Sequence, residues 1–315
     1  MSAKHHAPSL MDRLPDVRGR LSVDEPMARY TWLKVGGNAE VLFRPTDADD
    51  LREFLKGVPA DVAVCVIGNA SNLLVRDGGI RGVVIRLGSA FNQIRVEGQE
   101  IVAGAGAADL NVARTARDAG LAGLEFLSGI PGTIGGAVIM NGGAYGSDIS
   151  DICVSASFVD RHGHRHELAA EDLGFGYRHT DTDPSWIVTD VRFRGEAGDK
   201  VKITERMEQI QNEREITQPV RTPTGGSTFA NPPGLKAWEL IDQAGCRGLK
   251  RGQAMVSDLH CNFLINQGGA SASDLEGLGE EVRRRVFEHS GIRLDWEIRR
   301  IGIPVGSGIK EIDHD

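Results

Sequence analysis

The stretch from Gly129 to Gly146 reads GIPGTIGGAVIMNGGAYG, eighteen residues with seven glycines, one proline and one tyrosine. Each glycine costs roughly 1 kcal/mol in a helix relative to alanine, so this density argues against an ordinary helix or strand. What glycine offers instead is main chain that enters unusual φ/ψ regions and approaches a ligand with no Cβ in the way. Successive bare amides form concave nests that suit anions such as a pyrophosphate. A second segment of this kind lies upstream, Gly68-Asn69-Ala70-Ser71-Asn72-Leu73-Leu74. The two together point to a large phosphorylated cofactor gripped by backbone. Glycine makes up 40 of 315 residues, against a usual share of about 7%, and the excess gathers here without a collagen period.

The length predicts about two domains with a sizeable core. A net charge of −8 with no basic run speaks against nucleic acid as a partner. It also repels anionic substrates mildly, so any phosphate site has to be locally positive. No stretch approaches the ~20 apolar residues of a membrane span, and the first thirty residues lack an apolar signal core. A cytoplasmic chain with no membrane partner is therefore expected. Cys65, Cys153, Cys246 and Cys261 are scattered without a C-x-x-C pair, which reads as buried, reduced thiols.

Patterning predicts an α+β chain. Residues 1–20 read as a loose arm. Residues 31–35 and 39–44 read as strands joined by a Gly36-Gly37-Asn38 turn. A helix follows with Thr46 as its cap and Leu51, Phe54 and Leu55 inward. Residues 63–67 form a buried strand that delivers the chain to Gly68. Strands are expected at 83–87 and 101–103, and a helix from Asp109 closes at Gly120. Further strands fall at 153–159, 167–168 and 186–193. Composition then shifts to a charged helix over 199–216, with Ile203, Met207 and Ile210 at helical spacing. The domain boundary goes just before it. This gives a cofactor domain over 21–197, in two lobes of about 21–88 and 89–197, then a second domain over 198–303 and a tail over 304–315. A glycine–proline loop spans 218–233, a helix runs from Lys236 to Gly245, and a strand covers 261–266. The last helix opens on a capping box, Ser273-x-x-Glu276. Residues 294–298 form a closing strand. Neither G-x-G-x-x-G nor G-x-x-x-x-G-K-[ST] occurs, so the nucleotide is not held in a Rossmann or P-loop fold.

Three places carry candidate chemistry. Ser227 follows two glycines, in Gly225-Gly226-Ser227-Thr228-Phe229-Ala230-Asn231-Pro232-Pro233. It is either an exposed hydroxyl or a turn serine bonded to its own backbone. Glu297 alternates with Trp296 and Ile298, so a strand puts it on the opposite face, toward solvent or toward a site. Arg178, in Phe175-Gly176-Tyr177-Arg178, is either a surface arginine or an anion ligand. His162, His164 and His166 alternate as metal ligands do, but Gly163 between the first two reads better as a wet hairpin tip, and no metal is expected. His260 precedes an apolar run and either reaches a ligand or is a satisfied core histidine.

These motifs, with Thr31-Trp32-Leu33-Lys34-Val35-Gly36-Gly37, Ile130-Pro131-Gly132-Thr133-Ile134-Gly135-Gly136-Ala137 and Asn141-Gly142-Gly143-Ala144-Tyr145-Gly146, run in one order from residue 31 to about 302. In that order they resemble the bacterial UDP-N-acetylenolpyruvoylglucosamine reductases of peptidoglycan synthesis. The resemblance implies an FAD-binding fold of the vanillyl-alcohol-oxidase type with a C-terminal α+β substrate domain. It implies non-covalent FAD, NADPH as electron donor, and reduction of the enolpyruvyl ether of UDP-N-acetylglucosamine to UDP-N-acetylmuramate. With that go cell-wall synthesis, cell shape and division, and a monomer. Arg178, Ser227 and Glu297 become the catalytic set by match. Cofactor contacts fall on Gly68, Asn69, Ala70, Ser71, Asn72, Leu73, Pro131, Gly132, Gly135, Gly136, Asn141, Gly143, Ala144 and Tyr145. Substrate contacts fall on Tyr177, Asn231 and His260. The short stretch from His179 to Ser185 resembles the subgroup that lacks a long tyrosine-bearing substrate loop. Two other classes stay open at this point: an FAD-dependent alcohol or sugar oxidase, and a non-catalytic nucleotide-sugar binding protein.

Overall fold

Three larger sheets, three two-stranded pairs and six α-helices carry the described residues of the computed structural model, 9–305. The first sheet orders its strands Arg20–Pro26, Asn38–Arg44, Ile80–Arg86 and Val64–Ile67. The first pair is antiparallel and the other two are parallel. Helix α1 (Ala48–Gly57) buries Leu51, Phe54 and Leu55 against this sheet's core face. Its N-cap is Asp47, whose side chain accepts the Asp50 amide. Thr46, expected as the cap, instead donates its own amide to the Asp50 carboxylate at 2.9 Å.

The hairpin expected over 31–44 is not formed. The partner of Asn38–Arg44 is Arg20–Pro26, while residues 31–37 make an irregular loop closed by the Thr31 hydroxyl on the Val35 carbonyl at 2.8 Å. Lys34 at φ 57° breaks any strand there. The expected loose arm covers residues 1–8, which lie outside the described residues, and 9–20. Within the latter, Leu10–Arg13 is a 3-10 turn, and Leu10, Met11 and Leu14 pack on the core.

The second sheet is antiparallel throughout, in the order Arg165–Ala169, Cys153–Val159, Ile187–Arg194, Glu100–Gly104 and Ile94–Glu97. Helix α2 (Asp109–Ala119) buries Val112, Ala113 and Ala116 and stops at Gly120, φ 71°. Helix α3 (Ile134–Ile139) lies inside the glycine-rich segment, where no helix was expected. Packing overrides propensity there: the amides of Ile134 and Gly135 are taken by the carbonyls of Ala107 and Ala105.

Helix α4 (Lys200–Thr217) is capped by Asp199. Its Ile203 and Met207 belong to the same core as the first two sheets, so the helix placed after the domain boundary packs before it. The second domain's own core joins α5 (Ala237–Gln243), α6 (Ala272–Ser290) and a third sheet, with Leu33, Val35 and Leu74 contributed from the first domain. That sheet orders Thr224–Ser227, Phe263–Asn266, Ala254–Val256 and Lys250–Arg251, all antiparallel. The capping box of α6 is Ser271 with Asp274. Ser273 instead donates its hydroxyl to Asp77 at 2.8 Å, and Glu276 pairs with Arg76 at 2.9 Å.

The closing strand is Arg299–Ile301, later than expected, because it pairs in parallel with Leu73–Val75 of the cofactor domain. Residues 294–298 are an extended loop in which Trp296 bridges to Phe229. The chain thus re-enters the first domain directly after Glu297, beside the 68–74 segment.

Candidate active site

The strand Val64–Ile67 hands the chain to Gly68. A Cβ there would collide with the Thr133 hydroxyl, so glycine at this position is what lets the two glycine segments touch. Ala70 sits at φ 49°, and the amides of Asn69, Ala70 and Ser71 donate to no main-chain carbonyl among the described residues. A run of free donors of this kind is a nest for an anion. Gly136 leaves open space where a Cβ would stand. Free amides beside side-chain-free main chain fit a diphosphate, and so fit a dinucleotide such as FAD.

Several residues expected to touch the cofactor are used by the protein itself. Asn69 Nδ2 donates to the Gly132 carbonyl at 3.2 Å. Asn72 Nδ2 donates to the Glu297 carbonyl at 3.0 Å, and the Asn72 carbonyl accepts the Arg299 amide at 3.1 Å. Leu73 opens the strand that pairs with Arg299. Buried Asn141 donates to the Gly176 carbonyl and accepts the Ser150 amide, both at 3.0 Å. The Tyr145 ring and Ile210 of α4 both close on Gly129, filling the space a Cβ would need there. Gly143 and Ala144 form one arm of a small hairpin with Ser147 and Asp148. Pro131 leads into the Gly132 turn.

Behind that turn lies a group the sequence did not flag. Asp109, the first residue of α2, is fully buried, and both carboxyl oxygens lack a hydrogen-bond partner. A Cβ on Gly132 would stand 2.7 Å from Asp109 Oδ2. Burial pushes this carboxyl well above the ordinary carboxylate range, so it holds its proton.

Arg178 links three segments of the candidate site. Gly176 and His179 exchange main-chain bonds of 2.9 and 3.3 Å, leaving Tyr177 and Arg178 at the tip of a tight turn. Arg178 takes φ 58°, a strained value for a residue with a Cβ. Its Nε donates to Glu297 Oε1 at 3.0 Å, its Nη2 donates to the Gly143 carbonyl at 2.9 Å, and its guanidinium lies 5.0 Å from the Tyr177 ring centroid. One side chain therefore joins the glycine segment, the turn and the end of the second domain. The solvent-facing alternative for Glu297 is not realised. Burial pushes its carboxyl up from the ordinary value, with Arg178 pulling the other way.

Ser227 ends the strand Thr224–Ser227, after Gly226 at φ 80°. The next residue, Thr228, gives its carbonyl to the Glu297 amide at 2.8 Å, so Ser227 and Glu297 sit on adjacent runs of main chain. Asn262 holds this run in place. Its carbonyl accepts the Thr228 amide at 2.7 Å, and its side chain brackets Phe229 with bonds of 3.0 and 2.8 Å. Asn262 was missed; its signal is a polar residue inside the apolar run 261–266.

The expected substrate residues split. The Asn231 amide donates to the Tyr177 hydroxyl at 3.3 Å, which places these two together, while Asn231 Oδ1 caps α5 by accepting the Ala237 amide at 2.9 Å. His260 is half-buried, edge-on to Phe263 at 4.7 Å, and its Nδ1 accepts the Asn262 amide at 3.3 Å. Burial lowers its pKa, so the ring is held neutral. His164 and His166 both turn to Asp160, at 3.2 and 2.9 Å, and His166 stacks on Trp186. Among the described residues no helix is long and apolar enough to cross a membrane.

Residues 39–169 match the FAD binding domain family, and residues 218–301 match the UDP-N-acetylenolpyruvoylglucosamine reductase C-terminal domain family. The chain is 58% identical over 303 residues to a UDP-N-acetylenolpyruvoylglucosamine reductase of Parvibaculum lavamentivorans, covering 96% of this chain and 98% of that one. It is 59% identical over 292 residues to the enzyme of the same name from Paramagnetospirillum magneticum, covering 93% and 95%. The crystal structure of a UDP-N-acetylenolpyruvylglucosamine reductase from Thermus caldophilus superposes with a TM-score of 0.78 at 36% identity, covering 90% of this chain and 99% of that one. The α+β arrangement with an FAD-binding domain expected from the sequence agrees with these matches.

Proposed function

The chain belongs to the UDP-N-acetylenolpyruvoylglucosamine reductase family, and from that premise we propose that it uses NADPH and FAD to reduce the enolpyruvyl ether of UDP-N-acetylglucosamine to UDP-N-acetylmuramate. The observation that carries this reading is Arg178, bonded at once to Glu297 and to the glycine segment through Gly143. Bound there, FAD would supply hydride-transfer chemistry between NADPH and the terminal carbon of the substrate's double bond. The amides of Asn69, Ala70 and Ser71 would hold its diphosphate, with Gly136 leaving room alongside, while Gly132 and Gly135 close on Asp109 and Ala105 of the protein itself.

Hydride arrival at the alkene leaves negative charge spread over the substrate carboxylate. Arg178 binds that charge with a fixed guanidinium that does not lose its proton. Preorganised donors of this type contribute about 10²–10³-fold in rate. Glu297 assists in its protonated form, which burial favours, because a second negative charge at this place would oppose the reaction. Ser227 gives its hydroxyl proton to the carbanionic carbon, completing the lactyl ether, and is reprotonated from solvent. Tyr177, Asn231 and His260 line the approach for the sugar nucleotide. Asn72 and Asn262 are positioning residues that hold Glu297 and the Ser227 run.

A visible spectrum tests the proposal. The purified protein should be yellow, bleach anaerobically with NADPH, and regain colour when the enolpyruvyl sugar nucleotide is added. A colourless protein, or a bleached one that recovers colour only with oxygen, rules it out.

A further inference from the structure

The chain carries a net charge of −8, and neither glycine segment contains a lysine or an arginine. A diphosphate seated on Asn69–Ser71 amides would still need positive charge nearby. We propose that Arg44 and Arg86, held together over the Tyr30 ring, form a subsite beside those amides for a phosphate of a bound adenine nucleotide; this rests on the reading that the chain binds FAD.

The first sheet brings the two arginines together. Phe43 lies opposite Ile85 and Ile67 opposite Arg86, so Arg44 and Arg86 are side by side where the parallel strands end. Arg20 lies opposite Arg44 on the other side. A row of like charges across neighbouring strands is destabilising, and one carboxylate serves it: Glu25, 3.8 Å from Arg44 and accepting the Tyr30 hydroxyl at 2.6 Å. The Arg44 guanidinium also reaches the Tyr30 hydroxyl. The two guanidinium carbons lie 5.5 and 5.0 Å from the Tyr30 ring centroid, and the Nε of each is buried with no partner. Arg44 spends one terminal nitrogen on the Tyr30 hydroxyl, whereas the Arg86 side chain makes no hydrogen bond among the described residues, and stacking holds its fork with terminal donors left for bidentate capture of phosphate.

Two links place this pair against the cradle. Ile67, the cross-strand neighbour of Arg86, is followed directly by Gly68. Trp32, two residues after Tyr30, donates its amide to the Ala70 carbonyl at 3.3 Å. The pair also sits at the carboxyl ends of parallel strands, where ligands settle in open sheets.

The phosphate has two sources, the diphosphate of FAD and the 2′-phosphate of NADPH. The test uses holoenzyme of the wild type, Arg86→Gln, Arg86→Lys and, as a control, Arg81→Gln, an exposed arginine on the same strand. Flavin fluorescence released on dilution is followed against sodium chloride concentration, and the rates of bleaching by NADPH and NADH are compared. FAD as the source predicts about tenfold easier flavin release in Arg86→Gln, the loss of one charge-assisted bond, with a shallower salt dependence. Arg86→Lys should fall between, and Arg81→Gln should match the wild type. Unchanged flavin retention with the NADPH preference falling toward parity assigns the subsite to the 2′-phosphate. Retention, salt slope and preference all unchanged in Arg86→Gln overturn the proposal while leaving FAD binding intact; a wild-type protein that takes up no flavin overturns both.

Discussion

From Asn69 to Ser71 the groups that the proposed function turns to a ligand are free main-chain amides, whereas at Arg178, Ser227 and Glu297 they are side chains. The first region is stabilised by close approach: Gly68 against Thr133 and Gly132 against Asp109 leave no room for a Cβ. The second is held by long-range bonds: Asn72 donates to the Glu297 carbonyl, the Glu297 amide donates to the Thr228 carbonyl, and Arg178 donates to the Gly143 carbonyl. Main chain cannot lose a proton or change rotamer, so it suits a cofactor that stays put. Side chains with adjustable protonation suit a substrate on which charge appears and must be neutralised. The strain at Arg178 sits on the second side of this division.

The largest effect should come from Ser227→Ala. Loss of a general acid typically costs about 10²–10⁴-fold, and it should fall on reoxidation of the bleached flavin by substrate, read by anaerobic stopped flow, with bleaching by NADPH unchanged. Arg178→Gln should slow the same step about 10²–10³-fold and leave flavin content unchanged. Gly68→Ala probes the other region. Forcing a Cβ against Thr133 costs about 1–3 kcal/mol, so flavin release on dilution should become about tenfold easier or more.

Two smaller effects depend on pH. The Glu297 carboxyl is raised by burial, so its neutral form persists above the ordinary carboxylate range and is lost as pH rises through the folded value. Reoxidation should fall on that limb, and Glu297→Gln should flatten it. Asp109 is raised further, also by burial. The folded chain then keeps a proton that the unfolded chain releases. Stability is therefore greatest below the unfolded value and falls as pH rises toward the folded one. Asp109→Asn should remove that dependence, raising Tm at alkaline pH by about 2 °C per kcal/mol recovered.

The two regions also differed in how far the sequence disclosed them. Glycine density marked 68–74 and 129–146 because glycine encodes special backbone directly. It did not disclose α3, whose glycines are tolerated because Ala105 and Ala107 receive the amides of its first turn. Nor did it disclose the strand Arg20–Pro26, which carries a kink at Asp24, φ 53°, and ends in proline. In the second region, residue type alone left Arg178, Ser227 and Glu297 open to bland readings. What joins them is contact across 119 residues between Arg178 and Glu297, and across 225 between Asn72 and Glu297. No local pattern encodes such distances, and the family resemblance supplied what spacing did not. Asp109 was invisible for the opposite reason, since an acidic residue opening a helix is ordinary and only burial makes it unusual.

The division between the main-chain cradle and the side-chain cluster is tested most directly by measuring flavin content and substrate-driven reoxidation together in Gly68→Ala and Ser227→Ala. Gly68→Ala should lose flavin while the fraction that keeps it reoxidises at the wild-type rate. Ser227→Ala should keep its flavin and fail to reoxidise. If both variants lose both properties, or if Ser227→Ala reoxidises normally, the two regions do not divide the work in this way.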